Sequence, residues 1–179
     1  LASPVEGHRY VMGVDLAKHQ DFTVLVTADA STRRVVGFER FSQIDWALQK
    51  LRILEAAKRY NNARVYLDST GVGDPILEDL TRAGLAVVGV TMTAPEKRKL
   101  IDGLSIALEQ EQIRFPRIDQ LINELKAFQY DTTKAGNIKA SAPVGFYDDC
   151  VVALALCVRG LGETYGRTVT VRSMEYAKV

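Results

Sequence analysis

Long apolar runs are missing from this chain of 179 residues. None approaches the roughly 20 residues needed to cross a bilayer, which argues against a helical membrane protein. The opening residues show no basic-then-apolar signal-peptide pattern. Charge of one sign is missing as well: 23 lysines and arginines oppose 22 aspartates and glutamates, for a net charge of +1. That balance argues against a protein that holds nucleic acid by bulk charge and leaves a local basic patch open. Histidine and cysteine are scarce, two of each, with no HxxxH and no CxxC, so a structural zinc site has no support. Cys150 and Cys157 are two helical turns apart in an apolar stretch, roughly 10 Å between α-carbons and beyond disulfide reach. They read as buried thiols of a reducing compartment. The low-hydrophobicity signature of disorder is absent too, since 47% of residues are apolar and 25% charged.

What is present suits one α/β domain. Residues 1–9 start at Leu1, include Pro4 and Gly7, and read as the remnant of a linker. Residues 10–179 are then the folded domain of a longer protein. Three apolar runs, Tyr10 to Val14, Phe22 to Ala28 and Val35 to Phe41, are joined by short loops and predict an antiparallel meander. The period then changes. Trp46, Ala47, Leu48, Leu51, Ile53, Leu54 and Ala57 predict a helix from Ile44 to Tyr60, in which Trp46 is a packing residue. Val65 to Leu67 is a strand, and Asp74 and Pro75 cap and open a helix to Arg82, ended by Gly84. Ala86 to Val90 is another strand. Thr93 caps a helix to about Gln110, Ile113 to Phe115 is briefly extended, and Pro116 starts a helix through Phe128. Tyr130 to Ser141 reads as a polar surface hairpin, and Asp148 to Val158 as a helix buried on all sides. A last strand is expected from Thr168 to Arg172. The order predicts a mixed sheet, three antiparallel strands and then parallel ones, flanked by helices.

Acidic residues stand where apolar elements meet loops: Asp15 ends the first strand, Asp68 ends the fourth, and Asp148 and Asp149 open the last helix. Aspartate has low strand propensity and its buried charge is costly, so something must compensate. A divalent cation does so, because carboxylates are the hard oxygen ligands that Mg²⁺ or Mn²⁺ prefers. Each acid also has a plainer reading. Asp148 and Asp149 suit a helix N-terminus, and Asp68 suits a turn that bonds its own backbone. Asp15, directly after Val-Met-Gly-Val, is hardest to dismiss. His19 reads as an exposed loop residue, and Asp21 as one that shapes the same loop.

Anion-binding signals are weaker. Ser69 to Asp74 contains Gly71 and Gly73 and leads into a helix N-terminus whose amides suit a phosphate oxygen. It equally suits a plain connection and is not a GxxxxGK[ST] loop. Lys97, Arg98 and Lys99 occupy a helix first turn, where basic charge opposes the dipole and hints at an anionic partner, although a solvated surface run is the commoner reading of such a cluster. Lys134 and Lys139 flank the hairpin turn, within reach of a duplex backbone.

Tyr10-Val-Met-Gly-Val-Asp15, Val65-Tyr-Leu-Asp68-Ser-Thr-Gly-Val-Gly-Asp-Pro75 and Gly145-Phe-Tyr-Asp-Asp149 before Val-Val-Ala-Leu-Ala-Leu156 resemble the nuclease domain of large terminase subunits, the DNA-packaging motors of tailed bacteriophages. The resemblance runs from about Tyr10 to Val158 and includes Lys97, Ile113-Arg-Phe-Pro116 and Leu121-Ile-Asn-Glu-Leu125. It implies an RNase H-like fold and a metal-dependent endonuclease that cuts concatemeric double-stranded DNA in the cytoplasm of the infected bacterium. It implies Asp15, Asp68 and Asp149 as ligands of two Mg²⁺ or Mn²⁺ ions, with Asp148 auxiliary. The implied partners are an ATPase motor in the same full-length protein, whose phosphate-binding loop is absent here, the portal and the small terminase subunit. Tyr147 stands where relatives often carry histidine.

Three other readings use the same residues: a Holliday-junction resolvase or transposase-type nuclease, an actin-like nucleotide-binding domain, and a non-catalytic DNA-binding module. Preference for four-way junctions marks the first. Stabilisation by nucleotide without cleavage marks the second, although that fold normally needs about twice this length. Binding without metal-stimulated cutting marks the third.

Overall fold

Alternation along β1 (Tyr10–Asp15) sorts its side chains onto two faces of a sheet. The computed structural model of the chain describes residues 1–16, 22–70, 73–132, 138–141 and 147–165. Around β1 lie β2 (Thr23–Asp29), β3 (Arg34–Phe41), β4 (Arg64–Asp68) and β5 (Val87–Val90), in the order β3-β2-β1-β4-β5. β1 and β2, and β2 and β3, pair antiparallel; β4 joins β1, and β5 joins β4, in parallel. The expected mixed sheet is present. Helices α1 (Trp46–Arg59) and α2 (Gly73–Arg82) make the crossovers.

Met12, Val14, Leu25, Val65 and Leu67 face α1 and α2, where Ile53, Ala57 and Leu80 complete one core. Val11, Val24, Val26 and Tyr66 face the opposite core, built with α3 (Ala94–Glu109), α4 (Asp119–Ala127) and α5 (Asp149–Tyr165). A small antiparallel hairpin, β6 (Gln129–Thr132) with β7 (Ile138–Ser141), precedes α5. The turn expected at 134–137 and the strand expected at 168–172 lie outside the described residues.

Helix ends follow local chemistry. The Asp45 carboxylate accepts from Leu48 N–H at 2.8 Å at the start of α1, and Thr93 Oγ1 accepts from Glu96 N–H at 3.3 Å at the start of α3. Gly84 takes φ +92° just past α2, and Leu85 N–H reaches back to Leu80 O at 3.1 Å.

Two expectations need correction. The helix expected from Pro116 begins at Asp119. Arg114 pairs with the edge of β3, its N–H bonding Arg33 O while its carbonyl accepts from Val35 N–H. The chain therefore leaves that edge extended and buries Ile118 before the helix can start. Trp46 is not a packing residue. It is 39% exposed, as are Leu48 and Leu51 at similar levels, because α1 buries the stripe Gln49, Ile53, Ala56 and Ala57.

Helix α5 lies unusually close to the sheet. Every residue from Cys150 to Cys157 is buried, with the sheet on one side and α3 and α4 on the other. A β-carbon on Gly13 would sit 2.0 Å from Ala153 O and 2.5 Å from Cys157 N. One on Gly160 would sit 2.5 Å from both Val11 and Tyr66. The missing side chains let helix and strand backbones touch, and Tyr66 Oη with Thr164 Oγ1, 3.0 Å apart, ties the far end. Both cysteines are free. Burial pushes the Cys157 thiol up to about 12 and the Cys150 thiol higher still.

Gly13→Ala should destabilise the domain by about 3 kcal/mol, or roughly 6–12 °C in melting temperature, because neither backbone can retreat. Gly162→Ala, on the same helix with nothing within 4 Å of the added carbon, should be neutral or stabilising by up to about 1 kcal/mol. Equal effects in thermal melts would refute the close-packing account. A thiol reagent should label neither cysteine in the native protein and both after denaturation.

Candidate active site

The register of β1 on β4 brings the first two acids together. Met12 faces Val65, Gly13 faces Tyr66 and Val14 faces Leu67. One step further along each strand stand Asp15 and Asp68, at the carboxyl ends of adjacent parallel strands about 4.8 Å apart. Both share the parity of the α5-facing residues, Asp15 with Val11 and Gly13, and Asp68 with Tyr66. The packing of α5 supplies the rest. Gly160 lies against Val11 and Ala153 against Gly13, so the helix runs antiparallel to β1. One turn before Ala153 is Asp149, over the end of the strand. Asp148 accepts the first helical bond, from Val152 N–H to its carbonyl at 2.9 Å.

Each neighbour of Asp15 has a protein partner. Asp68 Oδ1 accepts from Thr70 N–H at 2.7 Å, the turn expected for it. Lys97, in the first turn of α3, donates to Asp148 Oδ2 at 2.7 Å. Asp149 Oδ2 accepts from Phe22 N–H at 3.3 Å. Burial raises the Asp15 pKa well above the usual carboxylate range, and the charges of Asp149, Asp68 and Asp148 raise it further, while Lys97 opposes them.

This donor set fits a divalent cation. The charges of Asp68, Asp148 and Asp149 act on Asp15 with the Lys97 ammonium beside them, a negative surplus of hard oxygen ligands. Among the described residues no three acidic, histidine or cysteine groups are placed closely enough to hold a metal ion as they stand. Instead, backbone and lysine donors hold one oxygen of Asp68, Asp148 and Asp149.

The other residues singled out from the sequence are dispersed. Arg98 is exposed and pairs with Asp102 at 3.8 Å. Lys99 lines a cavity of about 270 Å³ between α3 and α5, which includes none of the four acids. Gly73 opens α2 and Lys139 lies on β7. Gly71, Lys134, His19 and Asp21 lie outside the described residues. Sequence reading missed Glu124, Arg40 and Phe22, which surround the start of α5. Glu124 is 7% exposed and accepts from Cys150 N–H at 2.7 Å. Its signal was available: an acid on the buried stripe of a helix, three residues after Leu121.

Three antiparallel strands continued by parallel ones, with acids at the ends of the first and fourth strands and at the start of the last helix, define an RNase H-like domain. The chain belongs to the terminase RNase H-like domain family, whose model matches residues 12–156. The large terminase subunits of Thermus virus P23-45 and Thermus phage G20c are 33% and 32% identical to it over 150 residues. That stretch is 83% of this chain and 31% of each relative, so the chain spans about a third of their length. The large terminase nuclease of thermophilic phage G20c has the same fold, with TM-score 0.82 and 30% identity over 88% of this chain and 84% of that one. That nuclease has also been solved with magnesium and with cobalt bound. The nuclease domain of the large terminase subunit of bacterial virus Sf6 shares the fold at 13% identity and TM-score 0.67, covering 88% and 89% of the two chains.

A raised Asp15 pKa means that the native state holds this proton more tightly than the unfolded chain does. Metal-free protein should therefore gain stability as pH falls from neutral through that pKa, with the gain complete below about 3.9. Asp29 acts oppositely. Burial works against its charge, but His8 Nδ1 at 2.7 Å and the amides of Ser31 and Thr32 hold its carboxyl below the usual range. Its contribution is present above about 3.9 and lost as pH falls through the lowered pKa. Melting in EDTA should thus show a rise into mild acid and a fall below it. Asp15→Asn should melt higher at neutral pH and lack the rise. A steady decline from neutral pH in wild type would contradict a shared acidic site.

Proposed function

We propose that this chain is the metal-dependent endonuclease domain of a DNA-packaging large terminase, cutting concatemeric double-stranded DNA. The observation that carries the reading is the convergence of Asp15, Asp68, Asp148 and Asp149 at the end of β1 and β4. Family membership and the metals bound by the G20c nuclease support it.

Asp15, Asp68 and Asp149 would hold two Mg²⁺ or Mn²⁺ ions, with Asp148 auxiliary. When bound, such ions supply Lewis acidity to phosphodiester hydrolysis, activating the attacking water and steadying the leaving oxygen. The residues of the chain orient and shield. Phe22 N–H and Thr70 N–H fix the rotamers of Asp149 and Asp68. Lys97 offsets Asp148 and keeps a cation beside the incoming phosphate. Asp15, half-buried at the sheet end, is the carboxylate on which the other three charges act.

Lys97, Lys134 and Lys139, with the amides around Gly71 and Gly73, would contact the DNA backbone, and Arg98 and Lys99, which turn away from the acids, would add charge farther along the duplex. Such contacts carry little base information, so binding should weaken steeply with salt and depend little on sequence. Residues 10–179 would form the nuclease domain, which would work with an ATPase motor of the same full-length protein. The portal and small terminase subunit would be the assembly partners, in the cytoplasm of the infected bacterial cell.

A plasmid-nicking assay in EDTA, Mg²⁺ and Mn²⁺ tests this. Wild type should nick only with metal. Asp15→Asn, Asp68→Asn and Asp149→Asn should each lose at least about 100-fold in rate without melting lower. DNA binding without cutting under either metal would instead favour a binding module. Strong preference for four-way junctions would favour a resolvase.

A further inference from the structure

Arg40 lies in an arrangement that its place on an edge strand does not explain. It sits one residue before the end of β3, opposite Val24. Its guanidinium carbon is 3.4 Å from the centroid of the Phe22 ring and 5.6 Å from that of Tyr147. Those two rings meet edge to face, 5.2 Å apart. Arg40 Nη2 is 3.7 Å from Glu124 Oε1, and Arg40 Nε is buried without a hydrogen-bond partner among the described residues. A buried guanidinium nitrogen left unsatisfied is costly, so geometry and stacking must hold the group where it is.

Two of the contacts of Arg40 lead to Asp149. Phe22, beneath the guanidinium, donates its N–H to Asp149 Oδ2. Glu124, beside the guanidinium, accepts from Cys150 N–H, the residue after Asp149. One cation thus steadies a donor to the carboxylate and the acceptor that caps the helix carrying it. Glu124 needs that cation, since it is almost wholly buried.

We propose that Arg40 is a positioning residue that sets the orientation of Asp149 for metal binding. This rests on the reading of Asp149 as a metal ligand. Outer partners of metal ligands typically control affinity by 10–100-fold. Arg40 acts through planar stacking as well as charge, so lysine is not an adequate substitute.

The test is Mn²⁺ affinity without DNA, read by electron paramagnetic resonance, together with the nicking kinetics of Arg40→Ala and Arg40→Lys. Both variants should bind Mn²⁺ about tenfold or more weakly. Both should lower kcat at saturating metal while KM for DNA stays within about twofold. A raised KM and altered salt dependence with wild-type Mn²⁺ affinity would make Arg40 a phosphate contact and overturn the proposal. Where Arg40→Ala fails to fold, Arg40→Met combined with Glu124→Gln removes both charges. That pair should fold and still bind Mn²⁺ weakly, and wild-type affinity in it would overturn the proposal. Wild type that neither binds Mn²⁺ nor nicks would remove the nuclease reading itself. Wild type that does both, beside unaffected Arg40 variants, would remove only the role of Arg40.

Discussion

The backbone-to-backbone seat of α5 on β1 is the constraint on which the rest depends. Glycine at 13 and 160 lets a helix approach a strand closer than any side chain would permit. Cys157 uses the same proximity, with Sγ 3.4 Å from Val11 O. The seat fixes rotation and translation of the helix together. Its first turn therefore has one place to go, over the end of β1. An aspartate at the start of α5 and one at the end of β1 become neighbours although 134 positions separate them in the numbering. Packing density makes this rigid, since a close-packed core has few alternative arrangements.

That rigidity is what allows the carboxylates to be held together against their repulsion. Four acids around one lysine work against folding at neutral pH, and burial of Asp15 sharpens the conflict. The compensation comes from elsewhere: two apolar cores on opposite faces of the sheet, capped helices, and donors assigned to individual oxygens. The site is an imposed concentration of charge, stable because its supports are distant from it. A hard divalent cation is the chemistry that would relieve it.

Much of the architecture was legible in local pattern. Two-residue alternation in β1 and β2, the Asp45 and Thr93 caps and the left-handed Gly84 each rest on neighbours within a few positions. The failures share a cause of the opposite kind. Pro116 looked like a helix start until the edge of β3 held Arg114 extended. Trp46 shared helical spacing with core residues, but which stripe of α1 faces inward depends on the sheet it meets. Arg40 carried no local signal at all. Its partners Phe22, Glu124 and Tyr147 come from three separate segments.

The same division holds for the site. Order and chemical type are properties of the linear chain: an aspartate after an apolar strand, another before a turn, a pair before an apolar helix. These were enough to name Asp15, Asp68, Asp148 and Asp149 and to anticipate the mixed sheet. Tertiary structure alone decided that Lys97 answers Asp148, that Arg98 and Lys99 turn elsewhere, and that Phe22, Glu124 and Arg40 surround Asp149. The physical reason is range. Propensity, capping and alternation act over a few residues and can be read along the chain. Pairing of charges and stacking of rings depend on distances that exist only once helix and sheet are packed.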